Sequence, residues 1–439
     1  MGLHVLPNVT LYWSSDPLFC VKEVADVMPV KRFKKILSNL HINDNSKMPK
    51  RNEQGFDKLY KVRPLIDSMN DAFQNSASCS SSQSIDECMI KFKGRSTLKQ
   101  YMPKKPIKRG FKVWARCDSL TGYLYQFEVY TGKKDDTTEV GLGASVVKGL
   151  CKKLIEQNAE NTHVAFDNFF ASCELMQFLF EKNIYSTATV RQDRTDLPEL
   201  IKSHRKKKNT PKPAALKLAK GQHKWRVNKN VAFFVWMDTK LVYVLSTAYH
   251  PRQKKTCKRT QKDGTKSDIA CPLGILEYTK RMGGVDRFDQ KRGTYPISRR
   301  SKRWWMRIFY FLLDAAITNA HILHTHNDRV HNPIGALQFR TDLARNLINN
   351  YSSRKRRVSV LPNFATKRPK GPTSRQKSIY GIPDEIRLND VGSHMPGELP
   401  SYRRCRACSS KALGKKSKIE CVKCKVPLCI APCFAQFHT

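Results

Sequence analysis

Acidic residues are scarce in this chain: 37 Asp and Glu stand against 80 Lys and Arg, leaving a formal net charge of +43. That imbalance makes a polyanion the expected partner, because each phosphate neutralised by a basic side chain releases condensed counterions. Nucleic acid leads. Long apolar runs are missing too. The most apolar window, "IFYFLLDAAITNA", carries Asp314 and falls short of the ~20 residues a bilayer span needs, so no membrane association is expected. The start, "MGLHVLPNV", has no basic lead into an apolar run, and position 6 is Leu where myristoylation needs Ser or Thr. The expectation is a protein that stays inside the cell. No repeat recurs at a fixed period. What the 439 residues do have is 40% apolar content, enough for two or three domains with at least one substantial core.

Cysteine is unevenly spread. Of 14 cysteines, eight lie singly between Cys20 and Cys271, where reduced buried thiols are the plain reading, and six fall in the last 35 residues. There the order is Cys405-x2-Cys408, twelve residues, Cys421-x2-Cys424, four residues to Cys429, three to Cys433 and four to His438. Paired CxxC knuckles in an intracellular chain point to tetrahedral zinc. So short a segment cannot fold on burial alone, and the metal's binding energy must supply its stability. Seven ligands are present where two closed shells need eight, so one or two zincs are expected, with a water or another residue completing the second site.

Along the chain, residues 1–76 read as helical, with Asp16-Pro17 as a start signal and Val24, Met28, Phe33, Ile36, Leu37 and Leu40 at near-helical intervals. The serine-rich "QNSASCSSSQS" forms a break. From Ser84 the text becomes strand-like: "SIDECMIKF", "RGFKVWARCDS" and "GYLYQFEVYTG" predict a meander. A helix over "TTEVGLGASVVKGLCKKLIEQ", a buried strand "HVAF" and a helix over "SCELMQFLFEKN" follow, so residues 84–202 read as the first part of an α/β core. Residues 203–271, basic and then strand-rich, read as an inserted β-rich element. Residues 272–351 return to helix, and Trp304 and Trp305, although able to stack on a base, share helical spacing with Ile308 and Phe309 and read as core. Residues 352–400, basic with Pro and Ser, read as a flexible tether, and 401–439 as the zinc finger. Basic clusters at residues 204–208, 354–357 and 367–370 together favour the nucleus. His321, His324 and His326 read as a solvated helix end.

The scarce acids fall at element ends. Asp86 sits in the first strand, Asp167 directly follows "HVAF", and Asp286 and Asp289 lie one helical turn apart within "RMGGVDRFDQKRGTYPISRRSKRWW". A sheet with these connections can place the first and fourth strands side by side, with the helical pair closing over them. Hard oxygens so gathered suit Mg²⁺, and two ions ~3.5 to 4 Å apart would clamp the attacking and leaving oxygens of a phosphodiester displacement. Spacing alone leaves the same acids readable as caps and salt-bridge partners. Arg299, Lys302 and Arg303, beside the tryptophans, are candidate phosphate contacts.

"SIDECMIKFKGR", "HVAFDNFFAS", "TATVRQDRTDLPE", "GGVDRFDQ" and the tryptophan-rich helix, in this order, resemble the piggyBac family of DNA transposases and their host-derived relatives, from about Met1 to the last residue. The resemblance implies an RNase H-like catalytic core with an inserted β-rich domain, a helical N-terminal segment used for dimerisation and DNA binding, and a C-terminal cross-brace finger that reads terminal DNA. It places the catalytic metal ligands at Asp86, Asp167, Asp286 and Asp289, holding two Mg²⁺. It implies a nuclear homodimer acting on double-stranded DNA by cut-and-paste chemistry: nicking, hairpin formation and insertion at TTAA sites. A domesticated relative that binds DNA without cutting is the alternative. "MGLHVLPNVTLYWSSDPLF" resembles the interior of the family's N-terminal domain, so an upstream part is expected to be missing.

Overall fold

The computed structural model describes residues 2–132, 141–192, 197–198, 216–260, 263–297, 299–327, 330–353, 382, 384–409 and 414–438. The chain divides into two compact units, Met1–Arg356 and Arg357–Thr439.

The first unit opens with three helices, α1 (Lys22–Ala25), α2 (Val30–Asn39) and α3 (Arg63–Asn75). The apolar spacing that suggests continuous helix from Val24 onward is broken because Pro29 takes the N-cap of α2 and cannot sit inside a helix. Pro64 is tolerated in the first turn of α3, where its missing N–H has no partner to lose.

A mixed sheet follows: β1 (Ser82–Lys91), β2 (Gln100–Tyr101), β3 (Arg109–Asp118), β4 (Leu124–Val129), then α4 (Leu142–Glu156), β5 (Thr162–Phe166), α5 (Cys173–Glu181) and β6 (Ile184–Thr189). β3 runs antiparallel to β1 and to β4, while β5 runs parallel to β1 and β6 parallel to β5. The order β4-β3-β1-β5-β6 is the RNase H-like arrangement. Its two faces are sorted by alternation. Ile85, Trp114, Val164 and Phe166 join α4 and α5 in one core, and Cys88, Ile90, Val113 and Ala115 join α3 and later helices in another.

β7 (His223–Asn228), β8 (Val231–Met237) and β9 (Leu241–Ser246) do not form a separate element, as the strand-rich stretch suggests. β9 pairs antiparallel with β6, Thr187 facing Ser246, and carries the same sheet on through β8 to β7. The reason lies in β8, apolar on both faces: Phe233 and Val235 enter the α4–α5 core while Ala232, Phe234 and Trp236 enter another. Only the hairpin β10 (Lys254–Thr260) with β11 (Lys266–Pro272) forms a sheet of its own. The basic run at 204–208 lies outside the described residues.

α6 (Leu273–Arg281), α7 (Gly284–Thr294), α8 (Trp304–Thr325) and α9 (Ala336–Ile348) complete the unit. In α8, Trp305, Ile308, Phe311, Leu312 and Ala315 are buried against β1, β3, α3 and α7. Each fully buried large apolar side chain stabilises by roughly 1.5–3 kcal/mol.

The second unit holds α10 (Asp384–Arg387), β12 (Pro396–Arg404), β13 (Lys416–Cys421), β14 (Val426–Pro427) and α11 (Cys433–Phe437), its strands forming one small antiparallel sheet. Structure belonging to the finger thus begins ahead of residue 401, within the expected tether, because β12 pairs with β13 from Pro396 onward. The remainder of that tether, 354–381, and with it the basic clusters at 354–357 and 367–370, lies outside the described residues.

Candidate functional site

Adjacent parallel strands bring the first two acids together. Ile85 of β1 pairs with Phe166 of β5, so Asp86 and Asp167 follow at the same level of the sheet. Ile85 and Phe166 point into the α4–α5 core, which by alternation turns both aspartates to the opposite face, where α6 and α7 lie. Asp86 is half-buried and Asp167 exposed at the strand end. Burial raises the Asp86 carboxyl to about 6; the nearby Lys105 ammonium opposes this, and the charges of Glu87 and Asp167 add to it. Like charges converging on a half-buried carboxyl are the electrostatic setting of a cation site.

The third acid is delivered by α7. Its first turn rests directly on the ends of β1 and β3: a Cβ on Gly284 would meet the Ser84 hydroxyl and lie 2.5 Å from the Asp118 carbonyl oxygen. Only glycine permits that approach. The β3–β4 turn grips the same helix, Arg287 donating to the Ser119 carbonyl at 2.7 Å and Lys291 to that of Thr121 at 2.8 Å. Gly122 in this turn has φ +76° and would clash with the Phe288 backbone if it carried a side chain. Asp286 projects exposed from the first turn, and its charge reaches Lys105, which also feels Asp86. Asp289, one turn on, accepts from Arg292 at 2.5 Å, and Arg292 stacks on Phe311.

A second layer fixes Asp167. Thr189, at the end of β6, donates to its Oδ1 at 3.0 Å, and the hydroxyl of buried Tyr278 on α6 lies 3.4 Å from the Thr189 oxygen. Burial pushes the Tyr278 phenol up to about 12, with Asp167 and Asp86 adding to the shift, so it stays protonated and able to donate. Four carboxylates around one sheet edge are the hard-oxygen donor set that divalent cations such as Mg²⁺ take. Among the described residues no three of these acids bring an oxygen within 4.8 Å of one another.

The cysteine tail contrasts. Cys405, Cys408, Cys429 and Cys433 form one set, and His394, Cys421, Cys424 and His438 another, the ligand atoms of each lying within 4.8 Å of one another. The sets interleave along the chain in a cross-brace. Zn–S bonds of about 2.3 Å and Zn–N bonds of about 2.0 Å give a tetrahedron with edges of roughly 3.5–3.8 Å. Cys408 and Cys429 sulfurs are 3.7 Å apart, His394 Nδ1 lies 3.4 and 3.3 Å from Cys421 and Cys424, and His438 Nε2 lies 3.5 Å from Cys424. The outer ring nitrogens meet backbone carbonyls, His394 Nε2 at Asn389 (3.1 Å) and His438 Nδ1 at Phe434 (2.8 Å), the support that orients metal-binding imidazoles. Burial raises the Cys405 thiol, but backbone N–H groups of Cys408, Cys429 and Ala407 more than offset it and bring it to about 7, towards the thiolate a metal needs. Both sets therefore have the number, chemistry and spacing of closed zinc shells. His394 is the ligand the sequence reading missed; the odd count of seven was its only signal.

The basic candidates are differently disposed. Arg299 donates to the Tyr12 hydroxyl at 2.8 Å and stacks on its ring, and Arg303 donates to the carbonyls of Leu37 and Ser38 at the end of α2. Both bind the N-terminal segment to the core, and Arg303, like Lys302, remains exposed to solvent. Trp305 is buried, as its helical spacing implies. His321 and His324 pack on Phe339 of α9 and are partly covered, whereas His326, at the end of the helix, is exposed as expected.

A family model described as Transposase IS4 matches residues 1–321. PiggyBac transposable element-derived protein 3 of Homo sapiens is 29% identical over 446 residues, covering 100% of this chain and 68% of its own length. PiggyBac transposable element-derived protein 2 of Homo sapiens is 30% identical, covering 74% of this chain and 53% of its own length. In fold, the chain is similar to a piggyBac transposase solved by cryo-EM as a synaptic complex with hairpin DNA, with a TM-score of 0.63 at 23% identity, over 95% of this chain and 81% of that one. No helix among the described residues is long and apolar enough to cross a membrane.

Proposed function

This chain belongs to the Transposase IS4 family, in its piggyBac branch, and from that premise we propose that it is a cut-and-paste DNA transposase. The observation that carries the reading is the convergence on one sheet face of Asp86 and Asp167, level with each other on neighbouring strands, beneath the acid-bearing first turn of α7. Asp86, Asp167 and Asp286, with Asp289 behind them, would hold two Mg²⁺. Bound there, the metals would supply an activated oxygen nucleophile and neutralise charge on the phosphate and the leaving oxygen.

The chain's own residues do the positioning. Thr189, backed by Tyr278, holds one Asp167 oxygen so that the other is free to ligate. Gly284 and the β3–β4 turn fix the height of Asp286 above the strands. The exposed rim leaves room for a duplex, and the net charge of +43 draws it in. In the first step water would displace the 3′ oxygen from phosphorus, freeing a 3′-hydroxyl at the transposon end. That hydroxyl would then displace the bridging oxygen of a phosphodiester on the opposite strand, closing a hairpin. Water would then open that hairpin and free the 3′-hydroxyl again, and insertion at TTAA would repeat the same substitution on target DNA, so one site serves each step. The finger, with two zincs, would read the ends. A nuclear homodimer fits this chemistry, because two ends must be cut together.

The names of the curated relatives favour a second reading, a transposon-derived protein that binds DNA without cutting it. A test on the full chain separates the two. With DNA carrying the cognate end beside TTAA, the wild type should nick and form hairpins in Mg²⁺ or Mn²⁺. Asp286→Ala should lose at least about 10³-fold in rate while binding the same DNA as tightly or tighter. Tight binding by the wild type with no cleavage in either metal decides for the binding protein.

A further inference from the structure

The two ligand sets of the finger meet solvent differently. His394, Cys421, Cys424 and His438 are 5, 0, 8 and 5% exposed, so every member of that set is buried. In the all-cysteine set Cys405 and Cys433 are buried as well, but Cys408 and Cys429 are partly exposed. The two sulfurs that reach solvent are neighbours, 3.7 Å apart. They come from opposite arms of the shell, Cys408 closing the knuckle that begins at Cys405 and Cys429 following β14. Exposed Arg404, Arg406 and Lys415 flank the knuckle, and positive charge favours thiolate over thiol. An accessible thiolate with a second one in reach is the arrangement that makes cysteines sensitive to oxidants.

We propose that Cys408 and Cys429 are a modification site for hydrogen peroxide, and that their oxidation to a disulfide ejects zinc from the all-cysteine set while the His394 set stays loaded. The proposal rests on the reading that both sets hold zinc. One thiolate attacks the peroxide; the O–O bond breaks, a sulfenic acid forms, and the departing hydroxide takes a proton from solvent. The second thiolate then attacks that sulfur and displaces hydroxide, which is protonated in turn. Two thiolates thereby lose two electrons to one peroxide and, with two protons, give a disulfide and two waters. Closing from 3.7 Å to the ~2.05 Å of a disulfide asks for a small shift. Cys405 and Cys433 then remain of the four, too few for a closed tetrahedral shell. The new bond joins the same two arms that the metal joined, so a thiol reductant and zinc restore the set.

Hydrogen peroxide added to the zinc-loaded full chain, without DNA, tests this, with a chromophoric chelator reporting released metal and peptide mass spectrometry locating the crosslink. One of the two zincs should be released in step with a crosslink between Cys408 and Cys429, and dithiothreitol with added zinc should return the count to two. Cys429→His, which keeps a ligand but removes the thiol, should release that zinc at least about tenfold more slowly. If this variant does not load zinc, the crosslink in the wild type decides. Release of both zincs together, first loss from the His394 set, or release with the crosslink elsewhere overturns the proposal and leaves the zinc reading intact. A chain that carries fewer than two zincs before peroxide is added removes that reading, and the proposal goes with it.

Discussion

Two regions of this molecule gather cation ligands, and they do so in opposite ways. In the finger, eight ligands lie within 45 residues, from His394 to His438, and each set of four is already drawn to within 4.8 Å. The candidate acid site draws its carboxylates from positions 86, 167, 286 and 289, and among the described residues no three of them come within 4.8 Å of one another. The finger's apolar core is little more than Leu428, Phe437 and the cysteines themselves, whereas the acids hang on a sheet packed between two large clusters. A closed shell of soft ligands substitutes for a core. An open set of hard ligands depends on one.

The largest expected effect follows from that contrast. Chelation should unfold residues 384–439 completely while the first unit keeps its structure, because apparent binding energies of ~10–16 kcal/mol for structural zinc are folding energy in so small a module. Metal analysis should return two zincs per chain, and His394→Ala should release one of them. Circular dichroism and zinc release on the isolated finger check this. A finger equally folded after exhaustive chelation, or still holding two zincs without His394, would erase the distinction between the regions. The acid site should behave in the opposite sense. Asp86→Asn should abolish cleavage yet leave the metal-free core as stable as before or more so at pH 7, since it removes a charge that burial disfavours there.

The same contrast decides what was legible in the sequence. Seven of the eight Cys and His that form the two sets could be read because they are local and their spacing is nearly their geometry. His394 could not: it stands alone, eleven residues ahead of Cys405, in a stretch whose Pro, Gly and Ser read as tether. The pairing of Asp86 with Asp167 was readable because strand–helix–strand connections leave few places for the fourth strand. The destination of β9 was not, since nothing local says which edge a strand will join. Nor was the fate of Arg299 and Arg303, whose partners Tyr12, Leu37 and Ser38 are more than 260 positions away.

Backbone fit gives a smaller effect that sharpens the comparison. Gly284→Ala adds one methyl group where the Ser84 hydroxyl and the Asp118 carbonyl leave no space. α7 must rise from the strands by some tenths of an ångström, carrying Asp286 with it. Cleavage should fall by about 10–100-fold, as misplacement of a catalytic group commonly costs, with stability lowered by about 1–3 kcal/mol. Kinetics in Mg²⁺ alongside urea unfolding check both. Full activity in this variant would mean that the height of α7 does not set the site.

The smallest effect concerns acid. His163 on β5 is buried, its Nε2 2.9 Å from the Thr187 hydroxyl, its ring edge-on to Tyr249. Burial pushes its imidazole down to about 3, the charge of Arg281 adding to this and that of Glu277 opposing it. An unfolded chain takes up this proton near pH 6.5, whereas the fold refuses it until about pH 3. The stability His163 contributes is therefore fully present above pH 6.5 and is lost progressively as pH falls towards 3, by at most ~1.4 kcal/mol per unit. Between pH 7 and 5.5 His163 alone should cost the core about 1 kcal/mol, partly offset by protonation of Asp86, and His163→Gln, which can keep a hydrogen bond to Thr187, should remove that cost relative to wild type. The loss should not depend on zinc concentration, because among the described residues both Cys/His sets lie in the other unit. In the finger, protons compete with metal for cysteine and histidine, so its acid midpoint should move lower as zinc is raised. Denaturant midpoints at several pH values and two zinc concentrations read both responses at once, and a core whose pH slope follows zinc would show that the two regions do not stand independently.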